Sequence, residues 1–155
     1  MEYTLRSFKT EDATGVKDLI LSILTKEYPF DKSAYSDSDL DRIHQTYGGG
    51  RESFFVVESD GRIVGTVGIK EESKEEALLR RLFVDAASRR KGYGSMLVDK
   101  AMDFCREKKY KRIYFRCTDR MADAMNLCLK KGFRGVESLQ VGGFNIHKLE
   151  ADIQP

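Results

Sequence analysis

Apolar and polar positions along this chain follow two periods, and each change of period marks an element. YTLRSF, from Tyr3 to Phe8, alternates loosely and predicts an opening strand. Val16, Leu19, Ile20, Ile23 and Leu24 then recur at helical spacing. Thr10 is a candidate N-cap ahead of them, with Glu11 and Asp12 placed where negative charge meets the helix dipole. That helix should stop before Pro29, because the residue preceding a proline avoids helical dihedrals. DSDLDRIHQTY predicts a short second helix with Ser36 or Asp37 as its cap, followed by a break at Gly48, Gly49 and Gly50. FFVVE and RIVGTVGI are apolar runs joined through Asp60-Gly61, a strong signal for a tight hairpin. EESKEE reads as a solvated acidic turn and ALLRRLFV as a fourth strand. A long helix from Gly92 to near Lys109 carries Leu97, Ala101, Phe104 and Cys105 on one face. KRIYFRCT predicts a fifth strand, and RMADAMNLCLKK a third long helix that stops at Gly132. From Phe133 onward two short strands flank a Gly142-Gly143 turn. The order β-α-α-β-β-β-α-β-α-β-β is mixed α/β, with both hairpins and helical crossovers.

With 155 residues the chain suits one domain, residues 1–155, around a single core. A composition 41% hydrophobic and 34% charged is that of a soluble globular protein. The formal charge of +2 is too small to argue for nucleic acid or a membrane surface. The basic run KKYKR at 108–112 spans a helix end, where lysines meet the dipole favourably. Cys105, Cys117 and Cys128 form no CxxC pair and suit a reducing cytosol. No apolar run approaches the ~20 residues needed to span a bilayer, and MEYTLRSFKTED has no apolar signal core. A cytoplasmic location is therefore expected. His44 and His147 lie far apart, no metal-ligand spacing occurs, and there is no Gly-x-Ser-x-Gly elbow.

The chemistry concentrates in RLFVDAASRRKGYGSML, residues 81–97. Two glycines, each costing roughly 1 kcal/mol in a helix relative to alanine, open a helix directly after Arg89, Arg90 and Lys91. A helix N-terminus presents unpaired N–H groups and partial positive charge. Glycines there let a bulky anion approach the backbone closely. A strand, a basic loop and a glycine-opened helix together suit a pyrophosphate. Gly94 is followed by SMLVDK with no third glycine, so the dinucleotide fingerprint is incomplete. The Walker pattern is absent.

Arg-x-x-Gly-x-Gly after a Leu-Phe-Val strand resembles the acetyl-CoA signature of the GNAT family of N-acetyltransferases. VVESDGRIVGTVGI is similar to that family's central hairpin, and AMNLCLKKGF to its late helix and the Gly-Phe beyond. The resemblance implies an α/β GNAT fold: a mixed, mostly antiparallel sheet of about seven strands, flanked by helices and opened by a splayed strand into a V-shaped cleft. It implies acetyl-CoA as cosubstrate, with Leu82, Phe83 and Val84 lending backbone groups to pantetheine. Amides from Arg90 through Lys91, Gly92, Tyr93 and Gly94 to Ser95 would cup the pyrophosphate, with Arg89 at the motif's first position.

Acetyl transfer needs a neutral amine, a donor for the developing oxyanion and a departing thiolate. The family implies the amide of Val84 or Phe83 as that donor, a glutamate base on the signature strand and a tyrosine acid on the late helix. Here Leu78 and Cys128 stand at those two positions. Glu76, two residues before Leu78, is the nearest substitute base, and Cys128 could donate weakly from a reference pKa of about 8.5. Glu27 and Tyr28 fall where the family builds its acceptor site. Arg116 and Arg120 could hold an acceptor carboxylate, whereas the acidic run at 71–76 could attract a cationic amine. The expected partner is a small-molecule or amino-acid-like amine, with no nucleic acid and no membrane. The C-terminal hairpin could pair across a homodimer. A CoA-binding module without catalysis, a nucleotide-binding protein and an acetyltransferase acting on protein N-termini are the alternatives.

Overall fold

The computed structural model describes residues 3–27, 38–119 and 121–153. One sheet runs β1 (Tyr3–Ser7), β2 (Ser53–Ser59), β3 (Arg62–Glu71), β4 (Glu76–Val84), β5 (Arg112–Thr118), β7 (Phe144–Asp152), β6 (Arg134–Val141). Neighbours are antiparallel except β4 and β5, which are parallel. A parallel pair needs a long crossover, and helix α3 (Tyr93–Glu107) supplies it. The remaining helices are α1 (Ala13–Glu27), α2 (Ile43–Thr46) and α4 (Ala122–Lys130). Asp60 and Gly61 both adopt left-handed φ, +53° and +75°, as the tight turn between β2 and β3 requires.

The sheet is covered on both faces. On one, Leu97 of α3 reaches Gly65, where an added Cβ would lie 3.0 Å from its Cδ1. On the other, Tyr47 lies over Gly68 so closely that a Cβ there would come within 2.7 Å of its ring. Leu97, Val98, Ala101 and Cys105 of α3 are fully buried, each large side chain contributing roughly 1.5–3 kcal/mol. Val16, Ile20 and Leu24 do the same for α1.

Three element boundaries differ from expectation. Thr10 does not cap α1; it begins a 3-10 turn, Thr10–Asp12. The Lys9 N–H donates to Asp12 (2.8 Å), and Arg6 grips the same carboxylate at 2.7 and 2.9 Å. The second helix is divided into a 3-10 turn, Ser38–Asp41, and the short α2; Ser36 and Asp37 lie outside the described residues. The late helix is only nine residues long, with Gly132 at φ +99° beyond its end.

Candidate active site

The site starts from an irregularity in β4. Between the pairs Gly68–Arg80 and Thr66–Phe83, β4 holds one residue more than β3. The bulge contains Arg81, whose φ of +54° is left-handed, a conformation that costs an L side chain about a kcal/mol or more. Compensation comes from a buried cluster. The Arg81 Nε donates to Asp39 at 3.0 Å, a second guanidinium nitrogen binds the same carboxylate, and Tyr47 donates its hydroxyl to it at 2.7 Å. The Thr66 hydroxyl donates to the Arg81 carbonyl at 2.7 Å. Pairing of β4 with β5 ends at Leu79–Phe115. Beyond it the strands part, and a gap opens beside Leu82, Phe83 and Val84.

Backbone direction along this edge follows from one bond. The Asp85 N–H donates to the Val64 carbonyl at 2.8 Å. Successive strand residues turn their backbone groups to opposite sides, so Val84 directs its N–H away from β3 and into the gap. Its carbonyl, turned the same way, accepts from the Arg89 Nε at 3.1 Å.

A cleft of about 710 Å³ lies on the helix side of this gap, within the range typical of ligand sites. Leu82, Phe83, Val84, Arg89, Arg90, Gly92, Tyr93, Gly94 and Ser95 line it, together with Asp123, Ala124, Leu127 and Lys130. Lys91 is exposed and does not. Arg90 and Gly92 take left-handed φ of +67° and +83°. Gly92 is the N-cap of α3, and no side chain caps the helix there, so its first amides remain available to an anion. Gly94 has a second purpose: a Cβ would lie 3.0 Å from Leu127 Cδ2, so glycine also lets α3 approach α4. Uncapped amides with Arg89, Arg90 and Lys130 fit the diphosphate of a CoA thioester.

Glu27 lines neither this cleft nor the smaller one in the splay, and reaches this one through Arg89. Arg89 donates to its carboxylate at 2.5 and 2.8 Å. Glutamate at the C-terminal end of α1 meets the negative pole of the helix dipole, and Arg89 offsets that repulsion. Tyr28 and Arg120 lie outside the described residues.

A smaller cleft, about 300 Å³, lies in the splay itself. Its walls include Leu78, Arg80, Arg81, Phe115, Arg116, Thr118 and Ile146, and it shares Leu82, Phe83 and Met121 with the larger one. Among the described residues no carboxylate lines it.

Two side chains expected to act as acid and base lie outside both clefts. Glu76 sits at the opposite end of β4, accepting from the Tyr114 hydroxyl and from Ser73 at 3.2 Å and facing Arg112 at 3.4 Å. Cys128 is fully buried, and burial pushes its thiol up to about 12; Ala124 and Leu127 face the cleft in its place. The acidic run is likewise remote, with Glu71 held by Arg51 and Glu75 near Lys111 and Arg112. His147 bonds Asp119 and Ser138, away from both clefts. Sequence reasoning missed Asp39, Arg80, Arg81 and Met121. A signal was present for one of them: adjacent arginines inside an apolar strand break strict alternation, as a bulge does.

The sequence pattern of the acetyltransferase (GNAT) family matches residues 18–133, and the chain belongs to that family. YjgM of Escherichia coli (strain K12), an uncharacterized N-acetyltransferase, is 30% identical over 105 residues, covering 66% of this chain and 63% of the relative. The chain thus spans less than two thirds of that relative's own length. A GNAT-family acetyltransferase from Staphylococcus aureus Mu50 superimposes with a TM-score of 0.87 at 21% identity, over 99% of this chain and 100% of that one. The fold is also that of yncA from Salmonella typhimurium, solved with its cofactor acetyl-CoA: TM-score 0.78 and 15% identity, over 98% and 94% of the two chains. GNAT acetyltransferases use acetyl-CoA.

Proposed function

We propose that this chain is an acetyl-CoA-dependent N-acetyltransferase whose acceptor is a primary amine of a small-molecule or amino-acid-like compound, attacking the thioester directly. The observation that carries this reading is the meeting of two clefts, at Leu82, Phe83 and Met121, through the gap between β4 and β5. Bound acetyl-CoA supplies an activated acyl group. Arg89, Arg90 and the first amides of α3 hold its diphosphate. The Val84 N–H, aimed into the gap, is the donor for the developing oxyanion, a role worth several kcal/mol. Leu82, Phe83 and Met121 exclude water where the clefts join. The acceptor reaches this junction from the smaller cleft, and holding both reactants there removes much of the entropic barrier.

No carboxylate or histidine stands in the described walls of the smaller cleft, and this favours one second reading, a CoA-binding module without catalysis. Acetyl-CoA turnover against an amine library, followed by thiol release, separates the two. A melting panel of acetyl-CoA, CoA, ATP and NAD runs beside it, since a ligand of the native state raises stability by mass action. The expected result is stabilisation by acetyl-CoA and CoA but not by ATP or NAD, with thiol release that depends on an amine. Stabilisation by CoA without amine-dependent release would leave the binding module.

A further inference from the structure

Charge on the face of the sheet that bears Leu78 and Tyr114 changes abruptly at the mouth of the smaller cleft. Glu76, Leu78 and Arg80 share that face with Arg112, Tyr114 and Arg116 of β5, because side chains alternate along a strand. The rung Glu76–Arg112–Asp152 alternates in sign. On the next, Glu150 is opposite Arg134 and bound to it at 3.2 Å. The following rung differs: Arg116 stands directly opposite Lys148, whose partner on the other side is Glu137 of β6. Arg80 is one step past Leu79–Phe115, the last paired rung, which aligns it with Arg116 where the strands separate.

Like charges directly opposite on neighbouring strands repel, and Glu137 stands beside Lys148 rather than beside Arg116. No carboxylate among the described residues lies within ion-pair reach of Arg116 or Lys148. The Lys148 ammonium instead sits 3.9 Å from the Tyr114 ring centroid. Arg80 approaches Asp39 no closer than 3.9 Å, and that carboxylate is already bound by Arg81 and Tyr47. Arg80 and Arg116 both line the small cleft, which also has apolar walls at Leu78, Phe115, Met121 and Ile146.

We infer that the acceptor carries a carboxylate beside its amine, held by Arg116 and Arg80, and an apolar side group against Leu78, Phe115 and Ile146: an amino acid with an apolar side chain. This rests on the acetyltransferase reading of the same clefts. A guanidinium offers a planar fork that matches a carboxylate in two places. The same cations serve the chemistry. Positive charge nearby disfavours the ammonium form of the amine, and pairing the carboxylate removes its stabilising effect on that ammonium. The amine is thereby made easier to deprotonate in a cleft without a base. In the transfer an N–C bond forms and the C–S bond breaks; the amine loses one proton to water, and the thiolate leaves as CoA.

The test compares leucine, leucinamide, isoamylamine (leucine without its carboxylate) and aminoethyl phosphate as acceptors. Wild type, Arg116→Gln, Arg116→Lys and Arg80→Gln are assayed with each. In wild type, kcat/KM for leucine should exceed that for isoamylamine by roughly 10- to 100-fold, the loss expected when charge-assisted bonds go unmade. Arg116→Gln should lower leucine turnover far more than isoamylamine turnover and so abolish that preference, and Arg116→Lys should restore part of it. Equal turnover of leucine and isoamylamine, an equal loss on both in Arg116→Gln, or a preference for aminoethyl phosphate would each overturn the inference while leaving an acetyltransferase. Binding of N-acetyl-leucine to the CoA-loaded protein, measured calorimetrically, covers the case of no turnover. Binding that Arg116→Gln abolishes upholds the carboxylate site although the catalytic reading fails; absence of binding overturns the site too.

Discussion

The guanidinium of Arg81 is bound to the carboxylate of Asp39 with both side chains nearly sealed from water, 4% and 6% exposed. One partner is the bulge residue that turns β4 away from β5. The other belongs to the 3-10 turn ahead of α2. The pair therefore ties the geometry of the gap to the segment that follows α1.

Breaking this pair from one side should be costly. Asp39→Ala leaves Arg81 buried without its counter-ion and Tyr47 without its acceptor, a loss of about 3–5 kcal/mol in urea unfolding. Removing both charges together, as in Asp39→Leu with Arg81→Met, should cost much less. Burial pushes the Asp39 carboxyl up, but hydrogen bonds from Arg81 and Tyr47 and the positive charge of Arg81 and Arg80 outweigh it and hold the group below the usual carboxylate range. Its stabilisation is thus fully present above the unfolded value of about 3.9 and is lost as pH falls through the lower folded value. Asp39→Asn should flatten the acid limb of stability against pH.

Gly94→Glu places bulk and negative charge at the N-terminus of α3. Acetyl-CoA affinity, measured by calorimetry, should drop at least about tenfold, or ~1.4 kcal/mol. The fold should survive, because the closest atom to the new Cβ, Leu127 Cδ2 at 3.0 Å, is a side-chain methyl that can yield. Gly94→Ala should cost less than Gly94→Glu. Equal losses would mean that packing against α4, rather than anion binding, sets the requirement for glycine.

The Arg89–Glu27 pair leads to an opposite expectation for its two members. Arg89→Gln should weaken acetyl-CoA binding. Glu27→Gln should tighten it by roughly 2- to 5-fold at low salt, since Arg89 is then no longer neutralised by a partly exposed partner. The gain should shrink as ionic strength rises. Weaker binding in Glu27→Gln would show that the pair orders the loop for the cofactor instead of competing with it.

Without a carboxylate or histidine in the described walls of the smaller cleft, kcat/KM should rise about tenfold per pH unit until it nears the acceptor's own pKa, roughly 10.4 for an alkylamine. Glu76→Gln should cost less than about tenfold. Cys128→Ala should leave the profile unchanged, as burial pushes that thiol up to about 12 and keeps it protonated at neutral pH. A loss of roughly a hundredfold in Glu76→Gln, with a low-pH plateau abolished, would make Glu76 the base.

Much of this fold is decided within short stretches of chain. The helical spacing of Val16, Leu19, Ile20, Ile23 and Leu24 sets the buried face of α1, and Asp60-Gly61 sets the turn between β2 and β3, because periodicity and turn dihedrals are local properties. The order of elements follows from the same signals, and the run from Leu82 to Ser95 carries its strand, loop and glycine-opened helix in consecutive residues. Tertiary structure decided the rest. Arg81 meets Asp39 across 42 positions and Arg89 meets Glu27 across 62, pairings that no local pattern encodes. Glu76 faces Arg112 and Tyr114, and Arg116 faces Lys148, through strand register. Register depends on how the whole sheet pairs, and a shift of one residue would turn each of these side chains to the other face. The splay of β4 from β5, and the meeting of two clefts through it, come from a bulge held by residues far away in the chain.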